Sequence, residues 1–117
     1  LDDSWSDAEA LTQHPVTTLI GAQLYKAIGS IAANIGEGYS RSSGRDRARF
    51  FEYALGSARE SSIWYRAGAR ALDAQIVATR RGVLEEIQRM LQAVIPRERD
   101  RTIRPGRKTG VADPSAQ

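Results

Sequence analysis

The chain has 117 residues, enough for one domain and too few for two of ordinary size. Hydrophobic residues make up 41% of it, sufficient for a core, and the absence of cysteine excludes disulfides, thiolate metal sites and cysteine nucleophiles together. The formal charge of +3 is unevenly spread: residues 1–9 hold four acids and no base, residues 10–96 eleven bases against seven acids, and residues 97–117 six bases against three acids.

Residues 1–11 read as a helical fragment, with Ser4 or Asp3 as its cap and Trp5, Ala8 and Leu11 on one side. The His14-Pro15 step interrupts it, because the residue before a proline is driven out of the α region. Residues 16–35 form an amphipathic helix whose apolar positions Ile20, Leu24, Ile28, Ile31 and Ile35 step by three or four. Gly36-Glu37-Gly38 is expected to close that helix, glycine being the residue that most readily takes the left-handed closing conformation. A polar loop follows over 39–44, where Ser43 and Asp46 approximate a capping box for the next helix.

Residues 45–72 are the longest predicted helix. Two sets recur every seven residues, Ala48, Leu55, Ser62 and Ala69 in one and Phe51, Ala58, Tyr65 and Leu72 in the other. This is the spacing of a bundle seam, and its small residues allow a neighbouring helix to approach closely. Asp73-Ala74-Gln75 is the next turn. A last helix over 76–95 buries Leu84, Ile87, Leu91 and Val94, with Val83 and Met90 flanking. Pro96 is expected to stop it, leaving 1–96 as a helical bundle domain and 97–117 as a basic, disordered tail. No segment alternates like a strand, so the fold class is all-α.

Two linked blocks carry a family resemblance. The first places Gln23, Leu24, Lys26, Ala27, Ser30, Ile31, Asn34, Ile35, Glu37, Gly38 and Arg41 in one pattern; the second places Arg49, Phe50, Ala54, Gly56, Ser57 and Glu60. The chain resembles the bacterial four-helix-bundle family of proteins encoded in intervening sequences of 23S ribosomal RNA genes, which also includes the accessory protein of diversity-generating retroelements. The resemblance implies an up-down four-helix bundle and a ring-shaped homopentamer. For the retroelement branch it implies binding to RNA or DNA and to a reverse transcriptase. Relatives carry a long first helix, whereas only Trp5 to Leu19 precede the first block here. A short or truncated first helix is therefore expected, its missing cover supplied by upstream sequence or by a neighbouring subunit. That the chain opens on Leu1 and not on Met fits missing upstream sequence.

Fifteen of the 17 bases are arginine. A GC-rich genome accounts for that bias, as does a role in phosphate contact, for which the planar guanidinium fork is suited. On the long helix Arg45, Arg59 and Arg66 recur on one heptad position, with Arg49 and Arg70 on the adjacent strip, a stripe of about 38 Å at 1.5 Å per residue. The stripe reads either as a track for a nucleic-acid backbone or as a solvated face with pairs such as Arg49–Glu52. Arg41 joins Arg45, Arg47 and Arg49 in a cluster at the helix start.

Asn34 and Glu37, with Gly38, Gly56, Ser57 and Glu60, are expected to be structural: Asn34 on helix-end backbone, Glu37 paired with Arg41 or Arg59. Trp64 suits a subunit interface or the core. The single histidine, His14, has no partners for a metal site, and no serine has a readable histidine base. No phosphate-loop pattern follows a strand. No cofactor, metal or catalytic activity is expected. With no apolar run near the ~20 residues of a membrane span and no basic-then-apolar leader, a cytoplasmic location is the expectation.

Overall fold

The structure of the protein is a computed structural model that describes residues 1–103. Within them lie four helices: α1 (Asp2–Thr12), α2 (Thr18–Ser40), α3 (Gly44–Ala67) and α4 (Ala74–Ile103), with a single 3-10 turn at Ala69–Ala71. The described residues contain no strand, and no helix among them is long and apolar enough to cross a membrane. The fold is an all-α four-helix bundle with a short first helix.

Neither Asp3 nor Ser4 caps α1, since the Ser4 hydroxyl donates instead to the Leu1 carbonyl at 2.8 Å. The helix ends at Thr12, ahead of His14-Pro15, as expected. Beyond the break the Thr17 hydroxyl turns back to the Leu11 carbonyl at 2.7 Å, satisfying a helix-end acceptor away from water.

The expected stop at Gly36-Glu37-Gly38 does not occur, and α2 runs on to Ser40. Gly38 stays helical and serves packing: a Cβ there would stand 2.5 Å from Cε1 of Phe51 on α3. The missing side chain is what lets the Phe51 ring lie against the α2 backbone. Ser43 caps α3 as expected, its hydroxyl accepting from the Asp46 amide at 3.1 Å. α3 ends at Ala67, short of the expected Leu72, because the chain tightens into the 3-10 turn after Gly68 and Leu72 is already extended.

The Asp73 carboxylate accepts from the amides of Gln75 at 2.8 Å and Ile76 at 3.3 Å, so α4 begins two residues earlier than periodicity suggests. α4 then passes through Pro96 to Ile103, against the expected stop. A proline inside a helix lacks an N–H and crowds the carbonyl one turn back, a cost of about 3 kcal/mol. Contacts on both sides of it offset that cost. Ile95 is buried, Glu98 lies 3.8 Å from Arg47, and Arg99 pairs with Glu52. Residues 97–103 of the expected tail thus belong to the helix, and 104–117 lie outside the described residues.

α2, α3 and α4 run alternately up and down, with α3 in the middle. Leu24 and Ile31 of α2, Phe51, Ala58 and Tyr65 of α3, and Leu84 and Leu91 of α4 fill the core. One seam position moves: Ser61, and not Ser62, is fully buried, its hydroxyl bonded to the Ser57 carbonyl at 2.8 Å.

With 11 residues against the 23 of α2, α1 covers only half the height of the bundle. Above Leu1 nothing among the described residues lies over the α2–α4 groove. Ile28, Ile35 and Ile87 are only half-buried there, and Val83 and Met90 are 51% and 68% exposed.

Candidate nucleic-acid interface

Because α3 packs between α2 and α4, its remaining face is open to solvent. Arg45, Arg59 and Arg66 are exposed along it, and Arg70 is exposed in the 3-10 turn that follows. Among the described residues none of these four has a carboxylate within ion-pair distance. The expected Arg49–Glu52 pair does not form: Arg49 lies 3.6 Å from Asp46, and Glu52 takes Arg99 from α4.

Arg41 stands apart from the stripe, at the end of α2. It donates to Glu37 at 2.6 Å, the first of the two pairings expected for that carboxylate. Its guanidinium carbon is 4.6 Å from the centre of the Phe50 ring, and that of Arg49 is 4.9 Å away. One aromatic ring therefore steadies two cations through its π face, with Tyr53 edge-on at 5.6 Å. Of the six arginines read as phosphate contacts, Arg45, Arg59, Arg66 and Arg70 are unengaged among the described residues; Arg41 and Arg49 are held in place.

The motif residues form the α2–α3 joint. The Asn34 amide donates to the Ser30 carbonyl at 2.8 Å and to the Ser30 hydroxyl at 3.0 Å, and Ser57 reaches the same hydroxyl from α3 at 2.9 Å. Asn34 therefore binds mid-helix and not helix-end backbone, since α2 continues to Ser40. Glu60 accepts from the indole N–H of half-buried Trp64 at 2.9 Å. Gly38 is the packing glycine described above. Gly56 is exposed with nothing within 4 Å of where a Cβ would be, so no contact within the described chain demands glycine there.

The family model described as 23S rRNA-intervening sequence protein matches residues 8–93. The chain belongs to this family. The matched span takes in the Ser30–Asn34–Ser57 joint and the α3 stripe, and stops before Arg97, Arg99 and Arg101. No curated protein and no solved structure matches the chain.

This 23S rRNA-intervening sequence family member also holds a buried polar cluster that sequence reasoning missed. The Asp7 carboxylate of α1 accepts from the Tyr65 hydroxyl at 2.6 Å and from Nε of Arg80 at 2.8 Å, while Asp3 lies 3.7 Å from Arg80. Burial, and then the bond to Asp7 and its charge, push the Tyr65 phenol well above its ordinary 10.0. The Asp7 bond also raises Arg80 above its ordinary value. The cluster locks α1 onto α3 and α4. Its signal was positional: Asp7 precedes Leu11 by one helical turn, and Arg80 precedes Leu84 by one, so both charges sit on apolar stripes. Among the described residues no group of His, Asp or Glu is placed to hold a metal ion.

Proposed function

We propose that the protein is a non-enzymatic, homo-oligomeric, cytoplasmic bundle that binds RNA or DNA phosphates without sequence readout, as an accessory factor. The observation that carries this reading is the row of Arg45, Arg59 and Arg66 on the free side of α3, continued by Arg70 in the turn that follows, all exposed and unpaired among the described residues. A solvated face built for stability would pair such charges at helical spacing; this one leaves four of them open. A phosphate backbone is the partner that a linear array of guanidiniums suits best. The five-subunit ring implied by the resemblance would repeat the row around the particle.

The test is RNA-duplex binding across a salt series, with Arg59, Arg66 and Arg70 replaced by glutamate. Binding by the wild type should fall steeply with salt, and the triple variant should lose it while keeping its helicity. Equal binding by both proteins would remove the row from the mechanism.

The apolar α2–α4 groove favours a second reading, a scaffold that docks a neighbouring enzyme such as a reverse transcriptase. Light scattering on the purified chain separates the two. A defined oligomer that comigrates with RNA at low salt supports the first; a monomer that ignores RNA at every salt supports the second.

A further inference from the structure

Where α3 begins and α4 ends, three arginines from two helices line one small cleft of about 260 Å³, formed by Arg45, Arg49, Arg99, Ala48 and Glu52. Buried Ala48 supplies a small floor between the arginines. We propose that this cleft is a seat for one phosphodiester group of a bound nucleic acid; the inference rests on the phosphate-binding reading above and adds a residue from outside the α3 row.

Arg45 has no ion-pair partner among the described residues. Arg49 gives one nitrogen to Asp46 and Arg99 gives one to Glu52, each pair lying at the rim with both side chains about half exposed. A guanidinium has five N–H donors, so both retain donors for a second acceptor. Exposed pairs of this kind are weak, whereas a phosphate oxygen set accepts forked donation from several arginines at once. Three arginines and one carboxylate line the cleft, with Asp46 beside Arg49 outside it, which leaves a positive surplus in a concave spot.

Arg45 lies in the first turn of α3, where a cation faces the positive end of the helix dipole. Arg99 is also present only because α4 continues past Pro96. Both features find a use if the occupant is an anion. Arg45 belongs to the α3 row, so a backbone lying along Arg66 and Arg59 leads into the cleft. That continuity favours a nucleic-acid phosphate over a free ion.

The experiment titrates a fluorescent RNA duplex with the full chain at several salt concentrations. Arg99→Gln, Glu52→Gln and the Arg59→Gln/Arg66→Gln double variant are compared with the wild type. Arg99→Gln should weaken binding several-fold and reduce the salt slope by about one. Glu52→Gln should tighten binding, since it frees Arg99 and removes an opposing charge, an effect that loss of fold cannot mimic. If the double variant weakens binding while Arg99→Gln binds like the wild type, the cleft is refuted and the row stands. If no variant alters binding, both fall. Calorimetry with inorganic phosphate covers the other source: binding of the ion that Arg99→Gln abolishes, with RNA affinity unchanged, would overturn the nucleic-acid assignment in favour of a free-ion site.

Discussion

Tyr65 is almost wholly buried, with its hydroxyl on the Asp7 carboxylate and its ring among Leu11, Leu24 and Leu84. Seven-residue spacing places it on the bundle seam, but that spacing says nothing of a partner 58 residues earlier in the chain. The raised phenol ties stability to alkaline pH in one direction. Folding favours the protonated form, so the contribution is complete below the unfolded value of about 10 and is lost as pH rises past it. Tyr65→Phe removes that dependence. Melting temperatures of the wild type and Tyr65→Phe, compared from about pH 8 to about pH 11, should show the wild-type advantage shrinking as pH rises. A gap that stays constant would mean the phenol contributes packing alone.

At the scale of the helices, the two stops that α2 and α4 overrun give way to contacts made elsewhere. Gly36-Glu37-Gly38 reads as a terminator, yet α2 runs through it because Phe51 packs where a side chain at position 38 would stand. Gly38→Ala should cost about 1–3 kcal/mol in urea unfolding, since a buried ring must shift to admit the methyl. Gly29→Ala, where a Cβ meets nothing within 4 Å, should instead gain about 0.5–1 kcal/mol from better helix propensity. Destabilisation of equal size at both positions would deny Gly38 its packing role. Pro96 shows the same precedence at the other end of the bundle. The helix continues past it because Ile95, Glu98 and Arg99 are held by α3.

For the whole molecule the decisive feature is the uneven height of its helices. α1 stops short, and the groove between α2 and α4 keeps Ile35 and Ile87 half-buried and Val83 and Met90 in water. Apolar surface of this kind is where a partner docks, and in the proposed assembly the partner is another copy of the chain. Val83→Glu and Met90→Glu, both at exposed positions, should leave helicity and melting temperature nearly unchanged. They should lower the mass seen by light scattering toward that of one chain. An oligomer that survives both substitutions would place its interface elsewhere.

Much of this was legible without coordinates. The 3.6-residue rhythm of Ile20, Leu24, Ile28 and Ile31, the Ser43 cap, the break at His14-Pro15 and the seam through Phe51, Ala58 and Tyr65 are local patterns, set by which residues fall on one side of a helix. Those patterns determined an all-α bundle, its element order and the outward position of the α3 arginines. Local sequence cannot weigh a helix-breaking residue against a distant contact, and cannot say which charges will find partners. The tertiary structure alone decided that α2 and α4 outrun their apparent stops and that Asp7, Tyr65 and Arg80 converge. It also decided that Arg49 pairs with Asp46 and Arg99 with Glu52, while Arg45, Arg59, Arg66 and Arg70 stay open among the described residues. Each of these depends on side chains separated along the chain and brought together only when the helices pack.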